Sequence, residues 1–272
     1  MSKKWIAHQS QTRLYFGWLR FSRRWILRAS VVTKTEKLKH PAVREAVCEL
    51  RFSKGPSYTM IPGAMRERLR TKFPAYEVLP TASLFGALPD EIQAPPVPHH
   101  RFRSQFPNAL VQTGPRLLTI NVLPVYPTFE TFRELILDVL HSYIEVTECG
   151  NPETVALRYI NHIPRSSGGD DISAYLNFSI GYPGQLPSPP QESAARVVLP
   201  YPAVGSLGIA VSFPAQIENG EIGALLDLSL YQSDPGKFDL ENFPNWLDRA
   251  HEIVYAAFTS MVLEPIIARM RG

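Results

Sequence analysis

The stretch RFRSQFPNALVQTGPRLLTINVL, residues 101–123, decides the fold class. It contains three runs of strand-forming residues, Arg101–Gln105, Ala109–Gln112 and Arg116–Leu123. The breaks between the runs, Pro107–Asn108 and Gly114–Pro115, have the composition of tight turns. Because a tight turn joins strands that run in opposite directions, this stretch predicts a three-stranded antiparallel meander.

Helix and strand patterns continue on both sides of this meander. Upstream, the alternation of apolar and polar residues predicts a strand at Ala46–Phe52. After it, the sequence predicts an amphipathic helix at Ile61–Phe73, a short strand at Tyr76–Leu79 and a proline-rich loop at 86–98. Downstream, Thr128–Glu145 predicts a helix, because apolar residues recur at helical spacing and Thr128 suits the N-cap.

The second half of the chain repeats this order of elements. It predicts a strand at Thr154–Ile163, a short helix at Asp171–Phe178, a proline-rich loop at Gly181–Pro190, strands at Val197–Tyr201, Leu207–Phe213 and Ile222–Tyr231, and a long helix at Asn245–Met270 kinked by Pro265. We therefore predict an α+β protein with a mainly antiparallel curved sheet, built from two β-α-β-β-β-α half-repeats and covered by two long helices. The halves, 40–150 and 151–272, would form a single domain.

Charge is distributed unevenly along the 272 residues. Residues 1–40 contain ten lysines and arginines and one acid, Glu36, which gives +9, while the rest holds 18 bases and 24 acids, which gives −6. We expect residues 1–39 to be a basic extension outside the fold: a translated upstream region, a disordered tail, or an arm that contacts nucleic acid or a membrane. The acidic body is not expected to bind nucleic acid, since that relies on lysine and arginine.

Cysteine content and hydropathy indicate the compartment. The two cysteines, Cys48 and Cys149, form no disulfide framework, and Cys48 lies in an apolar strand pattern typical of a buried residue. Reduced thiols without a signal-peptide pattern favour the cytoplasm. No apolar run reaches the roughly 18 residues that a membrane-spanning helix requires.

The strongest polar cluster is Arg158, Asn161 and His162 on one predicted strand. Strand alternation puts Arg158 and His162 on one face and Asn161 on the other. One interpretation is an anion-binding site, in which Arg158 forks a carboxylate or phosphate and His162 exchanges a proton. The other is structural, with Arg158 donating to backbone carbonyls or to a carboxylate such as Glu45 or Glu49 across the sheet.

Elsewhere in the chain, sequences that resemble catalytic or cofactor-binding motifs are incomplete. Gly236–Lys237 lacks the spacing of a phosphate loop, Ser206 lacks the glycines of a nucleophile elbow, and no HExxH motif occurs. We therefore expect no cofactor and no bound metal. His251 lies at the edge of the apolar stripe of the last helix, which favours a hydrogen bond at the edge of the core.

Three stretches carry a resemblance to a known family. They are HPAVREAV at 40–47 running into LRF at 50–52, LRYIN at 157–161, and the positions Leu247, Asp248, Ala250, His251 and Phe258. Over residues 40–272 the chain resembles a sporadically distributed, uncharacterised prokaryotic family of proteins of about 250 residues, the size of one larger domain. Patchy occurrence is typical of mobile or defence-associated genes, an analogy that names no mechanism.

The absence of a convergent catalytic set favours a non-enzymatic binding or regulatory module in the bacterial cytoplasm. A role in defence or in a toxin–antitoxin pair is the hypothesis suggested by the resemblance. We expect its partner to be a protein or a small molecule, held against the sheet or in the seam between the halves. The alternatives are an enzyme or sensor for an anionic ligand near Arg158 and His162, and nucleic-acid or membrane contact through residues 1–39.

Overall fold

A nine-stranded sheet in which all neighbouring strands are antiparallel organises the fold. The computed structural model describes residues 36–53, 59–79, 99–164, 172–181, 183, 185, 191–216, 222–233 and 238–272. The strands are β1 (Val43–Phe52), β2 (Ala75–Leu79), β3 (His99–Ser104), β4 (Ala109–Gly114), β5 (Leu117–Val122), β6 (Pro152–Pro164), β7 (Ser193–Tyr201), β8 (Gly205–Gln216) and β9 (Ile222–Gln232). The helices are α1 (Ile61–Leu69), α2 (Phe129–Thr147), α3 (Phe243–Met261) and α4 (Glu264–Arg271).

The order of the strands is β2-β3-β4-β5-β1-β6-β9-β8-β7. Both predicted meanders, β3-β4-β5 and β7-β8-β9, are present, and the predicted α+β class with an antiparallel sheet is confirmed. The meanders join through β1 and β6, which lie side by side at the centre of the sheet. The first strand of each half is therefore an interior strand of the fold.

The core lies between one face of the sheet and helices α2 and α3. Alternate residues of β1, including Cys48 and Leu50, are fully buried, as the apolar alternation predicts. Helix α2 contacts β5, and α3 contacts β6 and β9. Buried apolar residues from both halves of the chain form one hydrophobic cluster. Burial of this kind stabilises a fold by about 25 cal/mol for each Å² of apolar surface removed from water.

Helix α2 begins where its sequence predicts. The Thr128 hydroxyl accepts a hydrogen bond from the Thr131 amide at 3.2 Å, so Thr128 is the N-cap. Arg133 on α2 donates to both carboxylate oxygens of Asp248 on α3, at 2.5 and 3.1 Å, in a largely buried ion pair. This pair fixes the two helices relative to each other one turn after the start of α2.

The predicted helix at Asp171–Phe178 is wrong. Within its described residues only Ile172–Ala174 form a short 3-10 helix. The following Leu176 forms a β-bridge with Val262, and the Asn177 amide donates to the Met261 carbonyl at 2.6 Å. Pairing with the end of α3 has replaced the hydrogen bonds that would extend a helix.

The predicted single helix at Asn245–Met270 is also wrong, because α3 ends at Met261 and α4 begins at Glu264. Pro265 has no amide hydrogen, and its ring would clash with the carbonyl of residue 261 in a continuous helix. That carbonyl instead accepts the hydrogen bond from Asn177. Pro265 therefore ends α3 one turn upstream, at Met261, and itself lies in the first turn of α4, where a proline is tolerated.

Part of the predicted N-terminal extension contacts the body. Residues 36–42, which we call the strap, run along the C-terminal helix into β1. Glu36 forms an ion pair with Arg271 at 2.8 Å, and the Lys39 amino group donates to the Gly272 carbonyl at 2.9 Å. Residues 1–35, the whole loop predicted at 86–98 and most of the loop predicted at 181–190 lie outside the described residues. Of the helices that are described, none has both the length and the apolar character to cross a bilayer.

Candidate functional site

Arg158 lies on the outer face of the sheet and is half exposed. Its Nε and Nη2 donate to the two oxygens of Asp227 on β9, at 2.8 and 2.5 Å. The partner is thus Asp227, a carboxylate on the neighbouring strand, as the structural interpretation expects, although it is neither Glu45 nor Glu49. The hydrogen bonds to Asp227 raise the pKa of the Arg158 guanidinium, so an anion at this position would compete with a carboxylate already in place.

Asn161 and His162 are both buried, but they face different spaces. The Asn161 side-chain amide donates to the Tyr159 and Leu226 carbonyls, each at 3.2 Å, on the helix-covered side of β6. The backbone amide of His162 donates to the Ala42 carbonyl of the strap at 2.9 Å. The predicted set therefore divides into an exposed arginine and two residues in separate cavities, and ligand binding by the set stays a prediction.

A cavity of about 110 Å³ lies where α2, α3, the strap and the central strands meet. We call it the seam cavity. Most of its wall is apolar or aromatic, with Leu228 on β9 and Val254 and Phe258 on α3. The strap covers it from outside. Inward-facing residues of β6 form its floor, because Tyr159 and Asn161 occupy alternate positions of that strand.

Three polar side chains form a hydrogen-bonded chain along this wall. The Tyr126 hydroxyl lies 3.0 Å from the Tyr159 hydroxyl, which lies 3.3 Å from Nδ1 of His251. The imidazole of His251 stacks on Phe129, with ring centroids 3.7 Å apart and planes inclined by 6°. The chain thus links the entry to α2, strand β6 and helix α3.

The positions of these groups follow from the helix packing. Asp248 lies one turn before His251 on α3, and Arg133 lies one turn after Phe129 on α2. The ion pair between Asp248 and Arg133 therefore aligns the two helices where the aromatic stack forms. Such alignment holds the imidazole toward β6.

Burial keeps this polar chain uncharged at neutral pH. Removal from water lowers the pKa of His251 to about 4, so its imidazole is neutral. Burial also raises the pKa of Tyr126 and of Tyr159, so both phenols stay protonated. Hydrogen bonds from its own amide and from Thr128 lower the pKa of the exposed Glu130, which is ionised. The inner wall thus offers neutral hydrogen-bonding groups.

Sequence reasoning identified part of this site. The expected hydrogen bond of His251 at the edge of the core is confirmed by its contact with Tyr159. Tyr126 and Tyr159 were not singled out. The available signal was the pair Tyr159 and Asn161, two polar residues at inward positions of a strand whose other inward positions are apolar.

Among the described residues, no three histidine, cysteine, aspartate or glutamate side chains converge in a way that could hold a metal ion. No protein-family model matches the chain, and no curated protein matches it. The resemblance to the prokaryotic family therefore rests on its three short stretches alone.

Proposed function

We propose that the protein is a binding module that holds a small, uncharged, mainly apolar ligand in the seam cavity. The observation that carries this proposal is the chain of Tyr126, Tyr159 and His251 on the wall of a mainly apolar space, whose charged lining residues are Glu36, Lys37 and Glu130. Apolar walls supply affinity, while a few neutral hydrogen-bonding groups orient the ligand. Binding in the seam is also one of the two partner positions expected from the sequence.

The cavity limits the size of the buried group. Its volume of about 110 Å³ approaches that of an engineered cavity of roughly 150 Å³ that takes up benzene. A single aromatic ring bearing a hydroxyl or similar group therefore matches both the space and its hydrogen-bonding wall. A larger ligand would extend past the strap toward solvent.

The chemistry of His251 supports binding over acid–base catalysis. A general base works best when its pKa lies near the operating pH. His251 has a pKa of about 4, so it is a weak base for proton abstraction at neutral pH. Its neutral imidazole still accepts or donates a hydrogen bond, which suits a recognition role.

The test uses phenol and benzene as probes. We expect calorimetric titration to detect both, with phenol bound more tightly because its hydroxyl joins the hydrogen-bonded chain. In the variant Tyr159→Phe, phenol should lose about fivefold to tenfold in affinity, the equivalent of one hydrogen bond, while benzene binding stays unchanged. The matched control is Tyr231→Phe, since Tyr231 does not line the cavity. Failure of both probes to bind the unaltered protein refutes the proposal.

The other functional hypotheses stay predictions. An anionic ligand at Arg158 and His162 would have to displace Asp227 from the guanidinium. Nucleic-acid or membrane contact concerns residues 1–39, most of which lie outside the described residues. Deleting residues 1–35 should abolish salt-sensitive binding to RNA or anionic vesicles if that hypothesis is right. The cytoplasmic setting and the defence role rest on the sequence arguments.

We further infer that the halves 40–150 and 151–272 arose by duplication and share one sheet covered by two long helices. In support, β1 and β6 are each flanked by the last strand of their own half, β5 or β9. Each half also contains one 19-residue helix after its last strand, α2 in the first half and α3 in the second. In the second half, α4 follows α3. If this inference is right, superposing β1 and β5 on β6 and β9 should bring α2 onto α3, and a different helix position would contradict it.

A further inference from the structure

A second cavity, of about 430 Å³, lies on the other side of the strap. We call it the basic cavity. The two cavities share the wall formed by Pro41, Ala42 and Val43. Apart from Tyr126, which lines both cavities, the titratable side chains of the basic cavity are all basic: Lys39, His40, Arg44, His162 and Arg269. No aspartate or glutamate is among its described lining residues.

Within the described part of the chain, the two arginines of this cavity have no acidic partner. Arg44 at the start of β1 and Arg269 in the last turn of α4 form no ion pair with any residue that the structure describes. Glu36 and Glu264 both form ion pairs with Arg271. Their carboxylates therefore neutralise that guanidinium and not Arg44 or Arg269. Lys39 is the third cation, and its amino group donates to a backbone carbonyl.

Clustering Lys39, Arg44 and Arg269 with no acidic side chain among the described lining residues is electrostatically unfavourable. A bound anion would replace this repulsion with attraction. The chain from residue 41 onward, Arg44 and Arg269 included, carries a net charge of −6, so this basic surface is a local exception. Guanidinium groups bind phosphate oxygens in a forked geometry, and an ammonium adds a point charge. The apolar residues Ile266 and Met270 at the same cavity suit the organic part of a ligand.

We propose that the basic cavity binds the phosphate group of a small organic phosphate, held by Arg44, Arg269 and Lys39. Three cations match a dianionic phosphate better than a single carboxylate. The space is one concave cavity in an acidic body, which favours a small molecule over a nucleic-acid strand. His162 lines this cavity and Arg158 does not. The proposed anion site therefore includes His162 from the set expected from the sequence, with Arg44, Arg269 and Lys39 in place of Arg158.

The experiment measures binding of inorganic phosphate by calorimetry at constant ionic strength, with acetate as the comparison anion. The test variant is the double substitution Arg44→Gln and Arg269→Gln. The matched control is Arg103→Gln with Arg196→Gln, which removes the same charge from two exposed arginines that form no ion pair with described residues. Circular dichroism verifies the fold of both proteins.

We expect the test variant to bind phosphate at least about tenfold more weakly for each arginine removed, while the control keeps its affinity. Acetate should bind more weakly than phosphate. The proposal is overturned if the unaltered protein does not bind phosphate, if both double variants lose affinity equally, or if a short single-stranded RNA binds this cavity while phosphate does not. If the test variant fails to fold, the two single variants decide, and each must weaken binding.

Discussion

The neutral state of His251 makes the stability of the protein depend on pH in a defined direction. The pKa of a histidine is 6.5 in the reference state and about 4 for His251 in the fold. Between these values the unfolded chain binds a proton that the folded protein does not bind. The free energy of unfolding therefore falls as the pH falls from about 6.5 to about 4, and this contribution is fully present above that window.

The size of this effect follows from the shift. Since one pKa unit corresponds to about 1.4 kcal/mol, the complete loss is about 3 kcal/mol, of which about 2.5 kcal/mol is lost by pH ~4.5. This is a large part of the typical stability of about 5–15 kcal/mol for a folded protein. The His251 contribution should thus be measurable above the general effect of acid.

Urea unfolding at pH ~7 and ~4.5 measures this loss, with the variant His251→Gln as the comparison. Protonation of carboxylates such as Glu130, whose pKa is lowered in the fold, also destabilises the protein in acid. The informative quantity is therefore the difference between the two proteins in the free energy of unfolding lost from pH ~7 to pH ~4.5. We expect the variant to lose about 2.5 kcal/mol less than the unaltered protein over this interval. The variant His40→Gln is the control for the substitution itself, because the His40 side chain is exposed. Parallel losses for the unaltered protein and His251→Gln would refute the reasoning.

Two further substitutions test the packing of the site and of the sheet. Asp248→Asn should lower the free energy of unfolding by about 3 kcal/mol, because it leaves Arg133 largely buried without its carboxylate, whereas Asp227→Asn on the exposed face should cost less than about 1 kcal/mol. Thermal unfolding measures both, and equal costs would contradict the assigned burial. Gly205→Ala should cost more than about 2 kcal/mol, because the backbone there has φ +139° and an added Cβ would lie 2.2 Å from a carbonyl oxygen of β9. Gly208→Ala is its control, since its nearest contact is 3.7 Å away, and similar unfolding midpoints for the two variants would contradict this assignment.

Local sequence signals were enough for most of the fold. Alternating residues in β1 and the turn residues between β3, β4 and β5 determine strands through interactions a few residues apart. Thr128 likewise caps α2 through its neighbour Thr131. Failures occurred where a distant segment intervened, as when the chain after Ile172 paired with the end of α3. Pro265 was recognised as a helix disruptor, but the position of the break depended on that same pairing.

The candidate site was less predictable, because its members are distant in sequence. Tyr159 and His251 come together only when β6 and α3 pack in one particular register. The polar chain also requires Tyr126, which precedes α2 and has no periodic pattern around it. Arg158 looked like a ligand-binding residue because its partner, Asp227, lies on a strand whose register the sequence does not specify.

The central pairing of β1 with β6 has a consequence for how the chain matures. Cys48 on β1 lies opposite Leu157 on β6, more than a hundred residues later. Contacts at such separation slow folding, because a long loop must close before they form. On the ribosome, β1 has one open edge until the beginning of the second half emerges. A fragment that ends near residue 150 should therefore aggregate, because β1 keeps an unpaired edge. Adding a peptide with the sequence of β6 should restore the solubility of this fragment.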